Sequence, residues 1–268
     1  MCTIGIHRLD EDDYVLFKNK DFGRTAFEDR IILEWGLFGV AGVSTWAGSD
    51  PALDVFSGIS VGANAAGLLC CDANVQGATG QANYDELVEI ALRASEGVGG
   101  AIAAIRTAVA SRPYLWGNLI MIDGVGEAAV EVRDQEVAVK RLSGPTARSN
   151  HHLTLGTPGE ADASGTTQSR LECAQRRVES ATTVDDIFAL QRAHDDGTTG
   201  ICSHQGHQTV YSYVLRRRGG ATTLHVTKGH PCEAGRVDLT VPIGDRWSPS
   251  AAAEFLAAYP SNEVTIEA

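Results

Sequence analysis

The second residue of the chain is a cysteine, and loss of Met1 leaves it first, with a thiol and a free α-amine on one residue. A side chain this small in second position permits removal of the initiator by methionine aminopeptidase. An α-amine titrates at roughly pH 7.7–8.0, so near neutrality part of it is unprotonated and accepts the thiol proton, directly or through a water. Nucleophile and base then share one position, an arrangement suited to attack on an amide carbonyl. The plainer reading of Cys2 is a small buried residue opening a strand, and its company argues against that. Lys18, Asn19, Lys20 and Asp21 close the next expected strand, which returns beside Cys2 if the two form a hairpin. A carboxylate there can orient an ammonium group, and a cation favours thiolate over thiol.

A second constellation holds Cys202, His204, His207, His230 and Cys232, soft and imidazole ligands of the kind zinc takes. Their spacings match no common finger, and C-x-H-x2-H is tight for a closed site. These residues are therefore read as loops packing near the sheet ends, with neither metal nor cofactor expected.

The chain has 268 residues, of which 43% are hydrophobic and 21% charged, and no linker, charge block or repeat divides it, so one domain over 2–268 is expected. A net charge of −12 argues against nucleic acid as partner. Arg216, Arg217 and Arg218, followed by Gly219 and Gly220, read instead as the polar end of a hairpin strand. No apolar run approaches the roughly 18 residues that span a bilayer, and no signal peptide opens the chain. A cytoplasmic protein without a membrane partner is expected, its six cysteines reduced. Self-association is left open.

Positioning Cys2 falls to the elements around it. Cys2 to His7 reads as a strand, and Tyr14 to Asn19 as its hairpin partner across a longer acidic loop, Asp10 to Asp13. A third strand is expected at Arg30 to Trp35, then glycine-punctuated apolar pieces, then strand and turn over Gly58 to Ala73. Tyr84, Leu87, Val88, Ala91 and Leu92 recur at helical spacing behind Asn83, and Gly97, Gly99 and Gly100 stop that helix. Another helix spans Ala101 to Ser111, ahead of Pro113. Strands return at Asn118 to Asp123, Ala128 to Arg133 and Glu136 to Arg141. Helices follow at Thr167 to Glu179 and at Val184 to His194, the latter capped by Thr183 with Asp186. A hairpin then joins Gln208 to Arg216 with Thr222 to Thr227, and Ser248 and Pro249 open a last helix to Ala257. Segregated strands and helices indicate an α+β fold with largely antiparallel sheets.

Several short motifs run in order along the chain: Cys2, Asn19-Lys20-Asp21, Gly62-Ala63-Asn64-Ala65-Ala66-Gly67-Leu68, Arg148-Ser149-Asn150-His151, Ser169-Arg170, Ile201-Cys202-Ser203-His204 and Gly229-His230-Pro231-Cys232. Together they resemble the acyl-CoA:6-aminopenicillanate acyltransferase family of N-terminal-nucleophile (Ntn) hydrolases, a relative of the choloylglycine hydrolases and penicillin V acylases. The resemblance covers most of the chain and implies an αββα four-layer sandwich, two mainly antiparallel sheets between helical layers. In that frame Cys2 resembles the nucleophile and Asp21 the carboxylate that holds its amine. Lys18 stands where the choloylglycine branch usually has arginine, so a point charge replaces a fork of donors. Donors aimed at the carbonyl oxygen lower the barrier to acyl transfer by on the order of 3 kcal/mol each. Asn150 is similar to the family's oxyanion asparagine. Asn74 has the spacing from Asn64 that brings a second donor in choloylglycine hydrolases, although an asparagine there also suits a turn. Arg170 resembles the family's arginine beside the nucleophile, the alternative being a surface residue at a helix start. Asn64, His151 and Ser169, with the aromatics Trp35, Trp46 and Phe56, are candidates for substrate contact, the aromatics serving equally as core.

The activity expected is cleavage of a small N-acyl compound through a thioester on Cys2, with no cofactor. Transfer of the acyl group to an amine is the alternative. A class II glutamine amidotransferase also begins Met-Cys but usually continues with glycine, where this chain has Thr3. A zinc-binding or interaction protein that keeps the fold without the chemistry is the reading from outside enzymology.

Overall fold

The computed structural model describes residues 1–45, 54–77, 81–94, 96–156, 166–195 and 197–261. Alternating apolar residues at the start build β1 (Cys2–Asp10) and β2 (Asp13–Phe22), paired antiparallel with Cys2 opposite Lys20 and Ile4 opposite Lys18. Both strands outrun the apolar pattern, so Glu11 and Asp12 make a tight turn in place of the longer loop expected. Beside them lie β10 (Thr146–Arg148) on one edge and β11 (Gln208–Arg218), β12 (Ala221–Lys228) and β13 (Val237–Thr240) on the other. Gly219 and Gly220 both take positive φ, 52° and 78°, as the tight turn from β11 to β12 requires.

A seven-stranded antiparallel sheet follows chain order: β3 (Ile31–Glu34), β4 (Leu37–Thr45), β5 (Val55–Asn64), β6 (Leu69–Asn74), β7 (Tyr114–Ile122), β8 (Glu127–Asp134) and β9 (Glu136–Arg141). Ile4, Ile6 and Leu16 of the first sheet share one buried core with Val61, Cys71 and Ile120 of the second. The outer face of the seven-stranded sheet is covered by α1 (Asp85–Ala94) and α2 (Val98–Ser111), through Leu87, Val88 and Ile105. The other outer face is covered by α3 (Thr166–Ser180) and α4 (Val184–Gln191), through Ala174 and Ile187. Finally α5 (Pro249–Ala258) sends Phe255 into the inter-sheet core. The layers are those of an α+β sandwich, two antiparallel sheets between helices. No described helix is long and apolar enough to cross a membrane.

The caps at Thr183 and Ser248 form. Thr183 and Asp186 make a reciprocal capping box, and the Ser248 side chain accepts from the Ala251 amide ahead of Pro249. The glycines read as a stop are different: Gly97 is the N-cap of α2, and Gly99 and Gly100 lie in its first turn. Asp123, from the end of β7, accepts the Val98 amide at 2.6 Å, an external cap that a helix without one of its own requires.

Candidate active site

Met1 continues β1 by one residue. Its amine donates to the Asp21 carbonyl at 3.0 Å, and the Asp21 amide donates to the Met1 carbonyl at 2.8 Å. The peptide groups flanking the Cys2 side chain are each held by a side chain from elsewhere. The Cys2 amide donates to Asn150 Oδ1 at 2.9 Å, and its carbonyl accepts from Arg170 Nη1 at 3.1 Å. The same guanidinium reaches Thr3 Oγ1 at 3.2 Å through Nη1 and Asn150 Oδ1 at 2.9 Å through Nη2. Arg170 lies in α3 and is 1% exposed, which overturns the surface reading. Asn150, just beyond β10, spends one N–H on the Asn74 carbonyl at 2.6 Å, and an amide nitrogen carries two. Asn74 closes β6 and does not lie in a turn.

Lys18 faces the inter-sheet core two residues along β2 from Lys20, the partner of Cys2, and is 1% exposed. The ladder between β5 and β6 covers Val61 to Ala63 opposite Cys71 to Leu69. Where that pairing lapses, the Lys18 ammonium enters. It donates to the Ser60 and Asp72 carbonyls at 3.1 and 2.8 Å, to Ser60 Oγ at 2.6 Å and to Asp72 Oδ1 at 2.9 Å. A cation thus takes the place of a missing ladder rung, with its three N–H bonds shared among four acceptors. Burial works against the charge, but Asp72 and smaller contributions from Cys2, Cys71 and Asp85 leave the Lys18 pKa above its ordinary value. Behind it, burial and then the neighbouring Asp72 carboxylate drive Asp85 well above the usual carboxylate range. Gly42 leaves room for this acid, since a Cβ there would stand 2.1 Å from Asp85 Cγ.

Asp21 is 1% exposed. Oδ1 accepts from Thr209 Oγ1 at 2.7 Å, while Oδ2 is buried and accepts from no described residue. Burial pushes this carboxyl up to about 6, against the opposing pull of the N-terminal ammonium, Arg170, Thr209 and His230. A buried acceptor without a donor, close to the amine, can take an ammonium N–H.

The substrate candidates disperse. Trp35 is 64% exposed in the turn between β3 and β4, whose Gly36 carbonyl accepts from the Ala65 amide, at the end of β5 away from Ser60. Asn64 lies four residues along β5 from Ser60, on the order of 13 Å. Its amide donates to the Leu92 carbonyl and accepts from the Leu68 amide, which pins the following turn and α1. The structure thus places neither residue beside Ser60 and the Lys18 ammonium. Phe56 stays closer: it packs 4.1 Å under the Arg30 guanidinium and 6.4 Å from Phe27, whose ring lies 4.3 Å from the Lys20 ammonium. His151 is half-buried with Nδ1 on Thr167 Oγ1, and burial followed by Arg170 holds its pKa below the ordinary histidine value. The Ser169 hydroxyl donates to the Thr166 carbonyl within its own helix, at 3.2 Å. Trp46 lies outside the described residues.

Sequence reading missed Ser60, Asp72 and Thr209, which carry no local motif. It also took Tyr84 as a core residue of a helix. The Tyr84 ring rests against Gly117, where a Cβ would stand 2.8 Å from Cγ. Burial, and then Asp85, Asp72 and Cys2, raise its phenol well above the ordinary value.

No family model and no curated protein sequence matches this chain. Solved structures do. Penicillin V acylase from Agrobacterium tumefaciens superposes with a TM-score of 0.52 at 12% identity, covering 89% of this chain and 86% of that one. A variant of conjugated bile acid hydrolase from Clostridium perfringens gives 0.53 at 10% identity, covering 89% and 92%. The Caenorhabditis elegans ortholog of N-acylethanolamine-hydrolyzing acid amidase gives 0.50 at 10% identity, covering 95% and 97%. At such identities the likeness is one of fold alone. The acyltransferase family suggested by the motifs is not among these three.

Proposed function

We propose that the protein is an N-terminal-cysteine amidohydrolase that cleaves a small N-acyl compound through a thioester on Cys2. The observation that carries this reading is the bracketing of Cys2 by Asn150 and Arg170 beside the buried carboxylate of Asp21. Such an expense of buried polar side chains on one short main-chain segment suits a residue that must be aimed. The proteins of like fold are named an acylase, a hydrolase and an acid amidase, and the proposed reaction is of the same kind.

Once Met1 is gone, the Cys2 amine takes the thiol proton and Asp21 Oδ2 holds the resulting ammonium. The sulfur attacks the substrate carbonyl, and the negative charge passes to its oxygen, where the second N–H of Asn150 and the side chain of Asn74 serve as donors. Collapse of the adduct breaks the C–N bond, the leaving amine takes the proton from the Cys2 ammonium, and a thioester remains. Water, giving a proton to the Cys2 amine, then adds to the thioester; the C–S bond breaks, the sulfur takes that proton, and the acid leaves. Transfer to an amine differs in that last step alone.

Intact mass spectrometry with a panel of N-acyl amines tests the proposal. The protein should have lost Met1 and should gain the acyl mass on Cys2, and Cys2→Ala should fold and be inert. Turnover at the unmodified rate by Cys2→Ala, or by protein that retains Met1, would overturn it.

A further inference from the structure

Three chain segments meet beyond the Asp21 end of β2 and β11. His194 follows α4, Cys202 and His204 lie in the loop leading to β11, and Cys232 lies in the connection from β12 to β13. One ligand atom from each of these four residues lies within 4.8 Å of the other three. Cys202 Sγ is 3.5 Å from Cys232 Sγ and 3.6 Å from His204 Nε2, and His204 Nε2 is 3.2 Å from Cys232 Sγ. Around a tetrahedral zinc, with thiolates at about 2.3 Å and imidazoles at about 2.0–2.1 Å, ligand atoms stand roughly 3.4–3.8 Å apart. The two separations from Cys202 fall in that range, the one between His204 and Cys232 lies just below it, and His194 stands within 4.8 Å of all three.

We propose that His194, Cys202, His204 and Cys232 form a structural zinc site. Two thiolates and two imidazoles are a closed four-ligand set, leaving no position for a reacting water, and their softness favours zinc over magnesium or calcium. The Glu233 carboxylate stands 3.8 Å from His204 Nδ1, on the side of the ring away from the sulfurs, and 3.5 Å from His230 Nδ1, an acidic neighbour to both imidazoles. The sequence reading weighed Cys202, His204, His207, His230 and Cys232 and did not include His194. His194 comes from the preceding segment, and the fold brings it in while His207 stays outside the cluster.

The site also has a task. Ser203, between two of the ligands, donates its amide to Thr209 Oγ1 at 2.9 Å, and the Thr209 amide returns to the Ser203 carbonyl at 2.9 Å. Thr209 is the residue that donates to Asp21. A metal that ties the three segments together would hold this loop, and with it the hydroxyl on Asp21, in place.

Elemental analysis of the full chain, purified reduced after expression with added zinc, should find about one zinc per chain, as a closed structural site binds tightly enough to survive purification. Replacement by cobalt(II) should give the thiolate charge-transfer absorption of a tetrahedral sulfur-ligated ion. Cys232→Ser and His194→Gln should each lose the metal with unchanged circular dichroism, and Cys173→Ser should keep it. Should Cys232→Ser fail to fold, the cobalt spectrum of the unmodified protein decides alone. Protein that takes up neither ion, zinc retained in both ligand variants, or a Cys202–Cys232 disulfide in the freshly isolated reduced chain would overturn the assignment.

Discussion

Arg170 reaches the Cys2 carbonyl, the Thr3 hydroxyl and Asn150 Oδ1 with two nitrogens of one planar group. Lysine cannot keep all three, because its ammonium is a single point on a flexible stem. Arg170→Lys should therefore lower kcat by about 100-fold with KM little changed, the penalty for a misplaced nucleophile; steady-state kinetics on an N-acyl amine checks it. On the proposed mechanism, Asp21 sets the pH dependence. The proposed reaction needs its carboxylate, and burial places that ionisation at about 6, so activity should rise with pH through that value. Stability runs the other way. The folded protein holds this proton more tightly than the unfolded chain does, so between roughly pH 4 and about 6 the residue's contribution falls as pH rises. Thr209 favours the ionised form, and Thr209→Val should shift the acid limb of the pH–rate profile upward by about one unit. An unmoved limb would assign that limb to another group.

Helix caps and glycine turns are written locally, so α4, α5 and the β11–β12 hairpin were legible with their boundaries nearly right. The short edge strands β10 and β13 were not, because three or four residues form a strand only when a neighbour supplies the ladder. The start of α2 was hidden for a related reason: its cap, Asp123, belongs to another element. Within the site, Cys2, Asp21, Asn150 and Arg170 came from ordered motifs. Asp72 and Thr209 meet their partners across 54 and 188 residues, and no spacing rule covers such distances. Lys18 was legible as a charge and not as a strut between β5 and β6. Lys18→Met should cost about 3–5 kcal/mol in denaturant unfolding, since it strands the Asp72 carboxylate and two carbonyls in the core. Adding Asp72→Asn should recover part of that loss, and no recovery would mean that packing of the lysine stem dominates.

Across the whole molecule, a buried carboxylate ties the connection between the two sheets to the six-stranded sheet and to the segment after α5. Asp29, between β2 and β3, is 0% exposed and accepts from the Lys20 ammonium at 3.1 Å, from Tyr213 on β11 at 2.7 Å and from Tyr259 beyond α5 at 2.7 Å. Tyr259→Phe removes one of those donors and should destabilise by about 1–2 kcal/mol, lowering the thermal midpoint by roughly 2–8 °C in a chain of this size. An unchanged midpoint would place α5 outside the cooperative unit. The Lys18 ammonium has a comparable long-range effect. Successive carbonyls of a strand point to opposite sides, so sliding β6 along β5 by a single residue would turn N–H groups toward the cation where oxygens now converge. One charged side chain thus works as a bolt: while it stays protonated, β6 has a single permitted alignment on β5, and creep along the sheet is forbidden within the core that Cys2 shares.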